Sequence, residues 1–286
     1  MMLKNINLWI LVTVAITTTA CDSNEKQAQE QALSQKIVDS LVTIEGGRYQ
    51  MGDFGHLIGE KLSITGEPDT RPLHWVELSD FRITKYRITW DEFNAWLVFL
   101  GRKKNDFYQR TIKAGEIIKN YEQVKYLEEE YPASASWQDA LNFCRWVGER
   151  TGRNLSLPTE AQWEYAARNR GQFVIFANSD NHYVYPAKEK NYAQKKEPVG
   201  SYPPNPLGLY DMMGNGREWM MDWYQEDYYS HSPTQNPQGP ESGKLRVLRG
   251  YAGEMSGTTT VYRLGQMPDR DGPSYGFRCV ENIPLK

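Results

Sequence analysis

Residues 199–224 read VGSYPPNPLGLYDMMGNGREWMMDWY. The run Pro203-Pro204-Asn205-Pro206-Leu207-Gly208 is turn chemistry that neither a helix nor a regular strand accommodates. Asp211 and Glu218 then stand seven positions apart, with Gly214 and Gly216 between them. Carboxylates spaced around glycines can fold into a loop of hard oxygen donors suited to Ca²⁺. The same residues also suit a metal-free loop whose carboxylates accept backbone hydrogen bonds. Trp219 and Trp223 add bulk for a core. Backbone this irregular must be fixed by side chains, an ion or a covalent link, so the stretch points to a domain with little regular structure.

Upstream, three helices are predicted. One begins at Thr159, with Glu160 and Gln162 in its first turn and Trp163, Ala166 and Ala167 facing inward. A second covers 136–151: Ser136 caps it, Asp139 holds the third helical position, and Ala140, Phe143, Cys144 and Val147 form its apolar stripe. A third covers 89–101, capped by Thr89, with Phe93, Trp96, Leu97 and Leu100 on one face. Short apolar runs at 41–44, 75–78, 81–83 and 246–248 predict brief strands. No internal repeat and no second linker interrupt residues 41–286, which predicts a single α+β domain. Trp137, Trp146 and Trp163 are assigned to its core.

The N-terminus differs. Lys4 precedes an apolar stretch at 6–16, which is too short to span a bilayer as a stable helix. Small residues then lead to Cys21, as in a secretory signal. Residues 1–20 read as the signal and 21–40, rich in Gln, Glu and Lys, as a polar tether. A formal net charge of −3 with no long basic run leaves nothing that suggests a nucleic-acid partner. If Cys21 is the lipid-bearing residue, Cys144 and Cys279 remain of the three cysteines, as a candidate disulfide or as two buried thiols.

Five segments in order resemble the formylglycine-generating-enzyme (sulfatase-modifying factor) family. They are IEGGRYQMG at 44–52, FRITKYRITWDEFNAWL at 81–97, SASWQDALNFCRWVGERTGRNLSLPTEAQWEYAAR at 134–168, the stretch at 199–224, and RVLRG at 246–250 with YGFRC at 275–279. The N-terminus resembles a bacterial lipoprotein signal, which implies lipidation of Cys21, a membrane anchor and a location in the cell envelope facing the periplasm. The family resemblance implies a single, compact, C-type-lectin-like fold of the α+β class.

The resemblance also assigns chemistry. The family's oxidase binds copper through two cysteines that would fall at 250–275 here, and that window contains none. Met255 and Met267 are thioethers, which cannot form a thiolate redox pair, so copper is not expected. The family's iron branch uses clustered histidines. His56, His74, His182 and His231 are widely spaced. For calcium, the implied ligands are the side chains of Asp211 and Glu218 and the carbonyls of Gly214 and Gly216, holding a structural ion. Gly216 stands where the family usually has Val or Ala. A second calcium region, around Asn191, is expected to be lost. Cys144 and Cys279 occupy positions that pair in the family, which implies a disulfide. The window would line a peptide groove, so Tyr251, Glu254, Arg263 and Arg270 are the expected cleft residues. The reading is a non-catalytic anchored protein that binds another envelope protein, in a secretion-accessory or toxin-immunity role. The competing reading is a metal-dependent oxidative enzyme acting on a periplasmic protein or small molecule.

Overall fold

The computed structural model describes residues 7–59, 61–104, 130–178, 197–250, 259–270 and 274–283, with side chains of the first helix from Ser23 onward. In chain order the elements are α1 (Asn7–Asp39), β1 (Leu41–Ile44), β2 (Gly47–Met51), β3 (His74–Leu78), β4 (Phe81–Thr84) and α2 (Trp90–Phe99). There follow α3 (Trp137–Thr151), β5 (Leu155–Ser156), α4 (Glu160–Ala167), β6 (Arg217–Trp223), β7 (Arg246–Arg249), β8 (Leu264–Gln266), β9 (Tyr275–Gly276) and β10 (Val280–Asn282).

The helices start where their caps lie. Thr89 accepts a hydrogen bond from Glu92 N while the Glu92 side chain accepts one from Thr89 N, and Thr159 and Gln162 repeat the device at α4. Two otherwise orphaned amide donors are thereby satisfied at each end. Ser136 caps α3, which stops at Gly152 in a left-handed conformation (φ 65°). All eight residues of α4 are buried, not only the Trp163, Ala166 and Ala167 face, because α4 is enclosed between β2, β3, β6 and β7.

Three small sheets frame these helices. Strands β1-β4-β10-β5 form one antiparallel sheet, so the last strand lies beside β4 from the first third of the chain. β2 and β3 pair as a ribbon, and β8-β7-β6-β9 form the third sheet, with β9 parallel to β6. One apolar cluster gathers Trp90, Phe93, Trp96, Phe143 and Phe277; a second gathers Ile44, Tyr49, Phe81, Trp163 and Met220. The Cys144–Cys279 disulfide fastens α3 to the approach to β10, with Cα atoms 5.5 Å apart and 135 positions between them in sequence. Closing a loop of that size stabilises the fold by roughly 4–5 kcal/mol in the chain-entropy model.

The expected tether at 21–40 is a correction. It is the second half of α1, and its last turns dock on the domain. Leu33 and Ile37 are buried against the first cluster, Arg150 binds Glu30 at 2.8 Å, and Lys36 binds Glu92 at 3.0 Å. The polar composition conceals an apolar pair four residues apart, which is enough to seat one helix face. The packed domain therefore begins near Glu30 rather than at 41. Strands β2, β5, β6, β8, β9 and β10 also lay outside the sequence expectation. In β6, Glu218 and Asp222 are buried beside Met220. Buried charges on the inward face erase the usual alternation of apolar and polar residues.

Candidate functional site

α4 and β6 position two buried charge clusters on either side of Trp163. The first is built on helical spacing. Glu160, Glu164 and Arg168 follow one another at one-turn intervals and so share a face. Arg249, at the end of β7, donates Nη1 to Glu160 Oε1 at 2.9 Å and Nη2 to Glu164 Oε2 at 2.8 Å. Arg263 grips Glu160 with two bonds, Nε to Oε1 at 2.8 Å and Nη2 to Oε2 at 2.9 Å. Arg168 donates to Glu164 Oε1 at 2.7 Å, and the Tyr229 hydroxyl to Glu160 at 3.2 Å. Burial alone would push the Glu160 carboxyl up, but Arg263 and Arg249 outweigh it and hold the group below the usual carboxylate range. Asp222 lies just behind on β6 and accepts a hydrogen bond from Glu160 N at 2.8 Å. Burial, with Glu160 adding to it, pushes the Asp222 carboxyl up to about 7.

The second cluster is built on the loop at 211–218. Asp211, Asn215 and Gly216 all have positive φ (58°, 63° and 103°), so the chain doubles back tightly there. Glu218 is bound by Arg278 through Nε at 2.6 Å and Nη2 at 2.8 Å, and Trp163 Nε1 donates to it at 3.2 Å. The Arg87 side chain is buried, with Nε 3.9 Å from Glu218 Oε1. Its Nη1 donates to the carbonyls of Asn215 and, at 3.4 Å, Gly214, and its Nη2 to the carbonyl of Arg217. Asp211 Oδ2 accepts from Gly200 N at 2.9 Å, while the buried Oδ1 has no hydrogen-bond partner among the described residues.

This donor set does not fit the calcium ion expected from the sequence. Both Glu218 oxygens accept from Arg278, and of the two expected carbonyl ligands Arg87 already donates to that of Gly214, though not to that of Gly216. Glu218 pairs with Arg278 at 2.6 Å and lies 3.9 Å from Arg87, while Asp211 feels both guanidiniums only at longer range.

The expected cleft is also divided. Arg263 is a correction: it is 2% exposed and belongs to the helix-built cluster, because Glu160 lies across the fold to receive it. Arg270 is exposed on the turn after β8. Tyr251 and Glu254 lie outside the described residues, as does the second calcium region around Asn191. Cys21 lies in the part of α1 whose side chains are not described. An open groove of about 810 Å³ separates the end of α1 from the β4–α2 connection, lined in part by Lys36, Ser40, Lys85, Tyr86 and Glu130. Sequence reasoning missed Glu160, Glu164, Arg249 and Arg87 as a charge lattice. Only the Glu160–Glu164–Arg168 spacing carried a signal for it.

The family model described as "sulfatase-modifying factor enzyme 1-like domain" matches residues 26–283. The chain belongs to that family. Its resemblance to serine/threonine-protein kinase pkn1 of Chlamydia pneumoniae is 31% identity over 264 residues, covering 89% of this chain and 40% of the relative. The chain thus spans about two fifths of that kinase's length. The formylglycine-generating enzyme of Streptomyces coelicolor is 35% identical over 172 residues, 52% of each protein. Among solved structures, PvdO from Pseudomonas aeruginosa superposes with a TM-score of 0.64 at 23% identity, over 85% of this chain and 94% of that one. That likeness establishes the shared α+β fold of this sulfatase-modifying-factor domain. The family match begins at residue 26, about one turn before the stretch of α1 that docks.

Proposed function

We propose that this chain is a non-catalytic, lipid-anchored envelope protein that binds another protein through its sulfatase-modifying-factor domain. The cysteine inventory carries the reading. Of three cysteines, Cys144 and Cys279 are joined to each other and the third is Cys21, remote in sequence from the window at 250–275. A copper(I) oxidase of the kind the family includes needs soft thiolate ligands there. A second support is the docked helix. With lipid on Cys21, about eight residues of exposed helix would separate membrane and domain, roughly 12 Å. That holds the domain close to the surface, where an envelope partner is met. A secretion-system accessory protein or the immunity partner of a periplasmic toxin would suit such a position.

Two measurements test this. In fractionated cells the whole chain is expected with the membranes and Cys21→Ala in the soluble fraction. A photo-crosslinking residue in place of Arg270 is expected to give one discrete adduct with an envelope protein. A chain that is soluble with Cys21 intact, or that gives no adduct from this face, would overturn the reading.

A further inference from the structure

We infer that the Arg87 guanidinium takes the place of the divalent cation in the loop at 211–218, making this domain's loop independent of calcium. The inference goes beyond the proposed function and does not rest on it.

Arg87 directs two nitrogens at three carbonyls of the loop, those of Gly214, Asn215 and Arg217, passing over that of Gly216. A planar fork of donors satisfies several carbonyls at once, which is the task a bound cation performs with its coordination shell. The cradle is shaped for this side chain. A Cβ on Gly216 would lie 3.1 Å from Arg87 Nη1 and 3.3 Å from Nη2, and one on Gly276 would lie 2.5 Å from Nη2. A Cβ on Gly276 would also lie 2.7 Å from the Ala133 carbonyl, so the backbone requires glycine there as well, and the space it leaves is the one the guanidinium occupies. Gly216 is the position where the sequence departs from the Val or Ala usual in the family. Its φ of 103° and the Ser274 carbonyl, 3.1 Å from where a Cβ would lie, call for glycine independently of the arginine. The charges agree with this arrangement. Arg278 and Arg87 both lie against Glu218, at 2.6 and 3.9 Å, so a dication added beside that carboxylate would meet two guanidiniums. Burial lowers Arg87 to about 10, against the pull of Glu218, and it remains cationic at neutral pH.

The test uses the full chain in detergent. After gel filtration in EGTA or in millimolar CaCl₂, elemental analysis is expected to find no stoichiometric calcium. The melting temperature is expected to be the same in both buffers within about 1 °C. One calcium per chain, or a rise of roughly 5 °C or more with calcium, would overturn the inference. In EGTA, Arg87→Met is expected to melt well below the parent and Arg87→Lys between the two. If Arg87→Met melts like the parent, the guanidinium is not what holds the loop, and the inference fails. Should Arg87→Met not fold, the calcium comparison on the unaltered chain decides alone.

Discussion

The two buried charge clusters flank the same tryptophan but are built in different ways. Trp163 donates its indole N–H to Glu218 of the loop-built cluster, and Arg249 of the helix-built cluster lies 5.1 Å from its ring. In the helix-built cluster, one short helix supplies both carboxylates at fixed spacing. Arg249 at the end of β7 and Arg263 just before β8 then tie that helix to the third sheet. In the loop-built cluster, the partners come from the β4–α2 connection, β6 and the approach to β10, and what they organise is irregular backbone. The first cluster joins elements that would exist without it. The second gives shape to a segment that has no ladder of its own. Buried ion pairs add little net stability by existing, but removing one partner strands the other in a poorly solvating interior.

Breaking the helix-built cluster should therefore have the largest effect. Glu160→Ala leaves Arg249 and Arg263 without their shared carboxylate. The expected loss is about 3–5 kcal/mol, read as a fall of roughly 10 °C or more in melting temperature. A loss below about 1 kcal/mol would show that the cluster is not a joint. The pH dependence sharpens the same contrast. The Asp222 carboxyl is raised in the fold to about 7 from an ordinary value of 3.8, so the folded chain binds the extra proton between these values. Its contribution is greatest at the acid end of that window and fades as the pH rises through about 7, with an upper bound of roughly 4 kcal/mol. Glu160 has the opposite sign: its folded value is depressed, so its stabilisation is present above the ordinary Glu range and is lost on further acidification. Asp222→Asn, which keeps an acceptor for Glu160 N, should flatten the decline in stability between about pH 5 and 7. Denaturation curves across that range check it, and an unchanged slope would remove Asp222 as its source. The smallest effect belongs to Arg270→Ala. That side chain is exposed, and stability should change by less than about 0.5 kcal/mol while partner capture weakens.

The same contrast explains what the sequence disclosed. The helix caps were legible because Thr89–Glu92 and Thr159–Gln162 are local devices, complete within four residues. Strands β1, β3, β4 and β7 were legible as short apolar runs. β6 was not, since Glu218 and Asp222 are buried on its inward face and their partners lie elsewhere in the chain. Arg263 read as a recognition residue for the same reason. Its charge suggested exposure, and the carboxylate that buries it lies 103 positions away. The loop at 211–218 was identified correctly as a special segment. Nothing in the loop itself names Arg87, which donates to three of its carbonyls from the β4–α2 connection. The tether was misread through composition: the apolar pair Leu33 and Ile37 is sparse, yet it is enough once α2 and α3 present a surface to it.

The central claim is that this sulfatase-modifying-factor domain works without the family's redox metal chemistry. Elemental analysis of the chain purified from the envelope for copper and iron tests that most directly. The account predicts neither metal above trace level, including after incubation with copper(I) and gel filtration. Stoichiometric copper or iron would contradict it and make an oxidative enzyme the better description.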